Sequence, residues 1–213
     1  MLFKLRVIVL LILLGVSIVS LAQESWDCSL KQAYLKQDGR SWLSLLIKKE
    51  LAYNSSKDRA VLFTLALGYY GYTADLIKKE KNHEAAVYLE KTRHFLDILE
   101  KAGDAPADVM SLQATLMAFE MIIDRKKGIS LGPKSLNTLN AAMKADPGSP
   151  YVWAEKGNSE FYRPALFGGS YRKASESYAK ALSILEKKGM KDCNWYYQYI
   201  AQQSAICLEK SGR

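Results

Sequence analysis

Two histidines, His83 and His94, are all the imidazole the chain has. They stand eleven residues apart in a segment of helical spacing. At roughly 1.5 Å per residue that separates them by about 16 Å, too far to share one metal ion. No H-E-x-x-H, C-x-x-C or Walker-type glycine run accompanies them. Carboxylates are common but do not pair: Asp108 and Asp124 fall several helical turns apart, and Glu155 and Glu160 fall on different faces of one helix. Phe167-Gly168-Gly169 invites a phosphate-loop reading because Ser170 opens a helix. A turn that needs positive φ explains those glycines better. Neither general acid–base work nor metal chemistry has a candidate, so the expectation is a non-enzymatic protein with no cofactor and no metal site.

The cysteines give little more. Cys193 and Cys207 read as sharing the last helix, where fourteen residues separate them by about 21 Å, against a Cα limit near ~7 Å for a bridge. Cys28 lies at the other end of the chain, and an open solenoid keeps its ends apart. The sequence therefore predicts no intramolecular disulfide and three buried, apolar cysteines.

The elements that must carry any site are helices. Only five prolines occur in 213 residues, and few Val-Ile-Thr alternations follow residue 25, which argues against a sheet. Met1 to Ala22 is separate: Lys4 and Arg6 precede an apolar run from Val7 to Val19, and Ser20-Leu21-Ala22 supplies small residues at a cleavage site. This is a signal-peptide pattern, with residues 23–213 as the mature domain; a retained anchor is the alternative. Export makes the chain periplasmic or secreted, and membrane contact is expected only through an uncleaved signal segment. Loss of Lys4 and Arg6 lowers the net charge from +8 to +6. The remaining lysines are interleaved with glutamates, as in Lys78-Lys79-Glu80-Lys81, which reads as solvated helix surface and not as a nucleic-acid stripe.

Within the domain the stretch Lys134 to Glu186 repeats a helix-turn-helix template. Ala174, Tyr178 and Ala181 keep the A-x3-F-x2-A spacing of a second tetratricopeptide helix. Ser135, Leu139, Ala142 and Pro147 keep it one unit earlier, and Trp153 and Gly157 follow where the next first helix needs them. Small residues sit there because helices approach to about 8–10 Å only where one offers no bulk. Leu67-Gly68 supplies a first-helix pair upstream, followed by Ala85 and Leu89. Gly68 to Ala85 and Gly157 to Ala174 both span 17 residues, which predicts long turns, as does Lys126 to Pro133. The helices are expected at Ser25–Lys36, Ser41–Tyr53, Asp58–Glu80, Asn82–Ala102 and Ala107–Arg125, then through the repeat stretch, and finally Cys193–Lys210 capped by Asp192. The fold class is all-α: a tetratricopeptide-like α-solenoid of about four helix pairs plus a C-terminal capping helix.

The run KGNSEFYRPALFGGSYRKASESYAKAL resembles exported tetratricopeptide-repeat proteins of the Bacteroidetes, in which a first helix ends in a Pro-containing Phe-Gly-Gly turn. The resemblance covers Ala141 to the C-terminus well and the N-terminal half by pattern only. It implies fold and compartment more than function.

A solenoid of this kind offers its concave, first-helix face. Counting from Trp153 and Gly68 puts Tyr69, Tyr72, Tyr151, Asn158 and Tyr162 on that face. Phe119 joins from the helix after Ala107, and Tyr196 and Tyr197 from the last helix. Tyrosine buries much area with few rotors and keeps a polar tip, which suits recognition. The functional expectation is a cell-envelope adaptor that binds a protein or peptide partner in this groove. The alternative is a periplasmic small-ligand-binding or transporter-associated protein, distinguished by an enclosed pocket in place of an open groove. Self-assembly is a further option.

Overall fold

The computed structural model describes residues 26–212; the signal-peptide expectation for Met1 to Ala22 lies outside them. Nine helices make up the described chain: α1 over 26–35, α2 Gly39–Ser56, α3 Leu62–Lys78, α4 Asn82–Ala102, α5 Pro106–Ile123, α6 Gly128–Ala145, α7 Pro150–Tyr162, α8 Tyr171–Lys187 and α9 Trp195–Ser211. Neighbours in sequence pack as pairs, α3 on α4, α5 on α6 and α7 on α8, and α9 lies against α8. Trp26 of α1 donates its indole N–H to the Leu45 carbonyl of α2 at 3.1 Å, which ties the first pair together.

The boundaries follow local chemistry. Asp38, Ser149 and Ser170 cap α2, α7 and α8 by accepting an N–H from the first turn. Pro106 and Pro150 open α5 and α7, where a missing N–H costs nothing, and Gly103 ends α4 at φ 73°. Asn194, not Asp192, caps α9 by accepting from the Tyr196 and Tyr197 N–H groups.

Two expected turns are shorter than the spacing implied. Residues 128–133 form the start of α6 and not a loop, with Pro133 inside the helix; the connection from α5 is the short 3₁₀ turn Arg125–Lys127. Pro133 can withhold only its bond to the Ile129 carbonyl, one turn from an exposed helix end, which softens the usual interior penalty. The surplus of the first pair also goes into helix: α3 continues ten residues beyond Gly68, to Lys78. Of the three expected long turns, the 163–170 connection is the one that forms. There a Cβ on Gly169 would collide with the Arg163 carbonyl, and Gly168 stands at φ 91°. Glycine is required at both.

The repeat signature maps onto real contacts. Gly157 lies under Tyr178, where an added Cβ would meet the ring at 2.6 Å. Ala174, Tyr178 and Ala181 are fully buried. The core they join runs unbroken from Leu30 to Cys207.

The last helix packs on α8 and also reaches back to α1, α3 and α7. Trp195 packs on Gly71 of α3, its ring lies 4.9 Å from Trp42 and 5.8 Å from Tyr34, and Tyr34 donates to Gln202 Oε1 at 2.7 Å. Cys28 and Cys193 form a disulfide across 165 residues of sequence, which corrects the expectation of three free thiols. The chain's ends meet because α9 folds inward. Moreover Cys193 precedes that helix and so is free to face α1, and Cys207 remains a buried thiol.

Candidate functional site

The interior carries a buried polar hub. Glu155 of α7 is wholly buried. Its Oε2 accepts from Tyr70 at 2.8 Å, Thr115 at 2.6 Å and Asn158 Nδ2 at 2.8 Å, and its Oε1 accepts from Tyr196 at 2.5 Å. Asn158 Oδ1 in turn accepts from Tyr178 at 2.8 Å and Tyr199 at 2.5 Å. Residues from α3, α5, α7, α8 and α9 therefore converge on two side chains one helical turn apart. Burial raises the Glu155 carboxyl above its ordinary value, opposed by the hydrogen bonds from Thr115, Tyr196, Asn158 and Tyr70. A raised carboxyl in a cleft would suggest acid–base catalysis. This one has no open face, and its neighbours are the protein's own hydroxyls, so it acts as a fastening.

The predicted groove residues are largely drawn into internal contacts. Tyr69 is buried and donates to Glu50, and its ring stacks near Phe95. Tyr72 packs edge-on against Tyr88, Phe119 stacks on Tyr70, and Tyr151 sits between Phe63 and Tyr196. Asn158 and Tyr196 belong to the hub, and Tyr197 donates to Glu186 at 2.6 Å. Of the eight, Tyr162 alone is exposed.

Accessible concavities lie away from the Glu155 hub. One, of about 650 Å³, runs between Trp153, Lys156 and Glu160 of α7 and Lys173, Ser177 and Lys180 of α8. The Trp153 ring is fixed by an indole hydrogen bond to the Pro147 carbonyl at 2.8 Å. The Lys156 ammonium sits 4.7 Å from its centroid, and Glu160 is held by Ser177 Oγ at 2.7 Å. The lining thus combines an aromatic plane, three ammonium groups and two carboxylates, Glu160 and Glu176. A second cleft of about 570 Å³ lies between α1 and α2 beside Cys28. Both are open to solvent.

The two histidines are exposed on α4 and line neither cleft. Gly128-Ile129-Ser130-Leu131-Gly132 spells G-x-S-x-G, the letters of a nucleophile elbow, but the elbow needs a strand before it. Here the five residues open α6, and Ser130 Oγ donates to the Lys127 carbonyl at 3.1 Å. The residues missed from sequence are Lys156, Lys173 and Lys180. Their convergence depends on the crossing of α7 and α8, and spacing alone does not report it.

No helix among the described residues is long and apolar enough to cross a membrane. No protein-family model and no curated protein matches the sequence. The fold is similar to that of the HusA haemophore from Porphyromonas gingivalis, with a TM-score of 0.56 and 20% sequence identity over 81% of this chain and 96% of that one.

Proposed function

We propose that the chain is an exported, non-enzymatic binding protein with a tetratricopeptide-like helical fold, and that it carries a flat, apolar ligand bearing acid groups. The observation that carries this reading is the Trp153 cleft: a fixed aromatic plane in a lining where three lysines, Lys156, Lys173 and Lys180, outnumber two carboxylates, Glu160 and Glu176, in a volume of about 650 Å³ that falls within the range of small-molecule sites. Aromatic stacking would hold the ring system, and the ammonium groups would meet its carboxylates. Haem is the first ligand to test, because the similar fold is that of a haemophore. The cleft lining contains no His, Cys or Met, so binding would rest on the ring and its acid groups more than on the iron. The experiment is a titration of the soluble chain, recovered from the periplasm, with hemin and with iron-free protoporphyrin, followed by absorbance. Both should bind alike, and the triple variant K156A/K173A/K180A should lose at least about tenfold in affinity, the scale of one charge-assisted contact per decade. Equal affinity of variant and wild type removes this cleft from consideration.

The open form of the cleft favours a second reading, a protein or peptide adaptor of the cell envelope. In that reading the face of α7 and α8 around Trp153 takes the partner, and none of the predicted groove residues lines it. Crosslinking in envelope extract distinguishes the two: the adaptor reading requires a captured protein that disappears on lysine substitution while porphyrin binding is absent.

A further inference from the structure

One end of the molecule carries large apolar side chains standing in solvent among cations. Its composition follows from helix register. The hub bonds from Tyr70 and Thr115 to Glu155 set α3, α5 and α7 level at mid-height. Ser149 donates to Asp108 at the far end, and Ser135 Oγ meets the Ala114 carbonyl. The last turns of α5 and α7 and the first turns of α6 and α8 therefore share one end. The last turn of α9 joins them, since Lys210 Nζ lies 5.2 Å from the Phe161 ring and 4.9 Å from the Tyr171 ring. On this end Ile129 is 93% exposed, Leu166 89%, Phe167 67%, Tyr162 and Leu208 62% each, and Ile122 48%. Scattered exposed apolar residues are ordinary, whereas a cluster on one edge marks an interaction surface.

The same end is rich in cations. Arg125 and Lys126 lie in the 3₁₀ turn, Arg163 and Arg172 flank the Phe167 turn, and Lys210 closes the rim. The carboxylates nearby are largely engaged: Glu120 holds Lys127 and Arg93, Asp124 accepts the Lys126 backbone N–H, and Glu176 pairs with Arg172. Arg163 also braces the turn, donating to Ser159 Oγ at 2.9 Å and to the Phe167 carbonyl at 3.4 Å. Leu166 and Phe167 are thus presented on a fixed support.

We infer that this end docks on the surface of a bilayer containing anionic lipid. The apolar tips stand on separate turns and form a set of projections, where a groove for a peptide would be one continuous channel. Projections of this kind suit insertion of side chains into the headgroup and acyl boundary. Tyr162 is of the aromatic type enriched at that boundary, Leu166 and Phe167 are of the apolar types that insert there, and the surrounding Arg and Lys match anionic headgroups. The contact is separate from the Trp153 cleft and stands whether or not porphyrin binds there.

The test is flotation of the soluble chain, recovered from the periplasm, with vesicles of phosphatidylglycerol and phosphatidylethanolamine or of phosphatidylcholine alone. The expected result is association with the anionic vesicles, weakened by added salt. The variant I129S/L166S/F167S should lose association by about tenfold or more. These side chains are exposed, so its thermal unfolding should match wild type, and R125Q/K126Q/R172Q should lose the salt-sensitive part alone. Three outcomes overturn the inference: no flotation with either vesicle, a variant that floats like wild type, or a concentration-dependent dimer that the apolar variant abolishes, which would make the occupant a second copy of the chain.

Discussion

Glu155 decides how the interior holds together, and its pH behaviour can be worked out with sign. Burial places its folded-state value above the ordinary 4.5. Below 4.5 both states are protonated. From there up to the raised value the unfolded chain has released the proton while the folded chain keeps it, so stability falls as pH rises; beyond the raised value the loss levels off. E155Q removes this contribution. Subtracting its unfolding free energy from that of wild type, by urea titration at several pH values, should give a difference that declines across that interval, by at most about 1.4 kcal/mol per pH unit. A difference that rises with pH would mean that the four donors outweigh burial. E155A is a harsher change, since it leaves Tyr70, Thr115, Asn158 and Tyr196 without their acceptor. It should cost more than E155Q, by about 1–3 kcal/mol for each donor left buried and unsatisfied. Sequence spacing puts Glu155 on α7 but does not reveal its burial, because a lone glutamate at a helical position looks like solvated surface until its hydroxyl partners arrive from three other helices.

At the scale of the element, the repeat template was legible wherever it depends on contact between helices adjacent in sequence. Gly157 beneath Tyr178 is such a contact, and G157A should be destabilising. Overpacking costs about 1–3 kcal/mol, and the gain in helix propensity returns roughly 1 kcal/mol. The net expected loss is up to about 2 kcal/mol, read as a lower urea midpoint at unchanged slope. G128A provides the contrast: nothing lies within 4 Å of a Cβ there and φ is −56°. It should be neutral or stabilising by up to about 1 kcal/mol. Turn lengths were less legible. The same 17-residue interval is spent on a longer α3 in one pair and on the Arg163–Ser170 turn in the other, because Pro164 and the two glycines break a helix whereas Tyr72 to Lys78 continue one. Pro133 misled in the opposite direction, since a proline near an exposed helix start can be absorbed.

For the whole molecule the decisive fact is that the chain closes on itself. An all-helical pattern with paired spacing says that neighbours stack; it does not say where a last helix goes when the stack is short. Trp195 fits against Gly71 and Trp42, and that docking draws tyrosines that the repeat register assigns to a groove into internal contacts. It also brings Cys193 to Cys28. The bond closes most of the described chain into one loop, so in the chain-entropy account it withdraws about 5 kcal/mol of conformational freedom from the unfolded state, while measured losses on removing native disulfides run about 2–5 kcal/mol. Denatured, unreduced protein should therefore present one reactive thiol, Cys207, and reduced protein three. C28S/C193S should fall in stability within the measured range while keeping its helical circular dichroism, because the Trp42, Trp195 and Tyr34 contacts remain. C207S, which leaves the loop closed, should lose only the packing of one small buried side chain. Three thiols in the unreduced chain would show that aromatic packing alone holds the ends together, and the two serine variants would then differ little in stability.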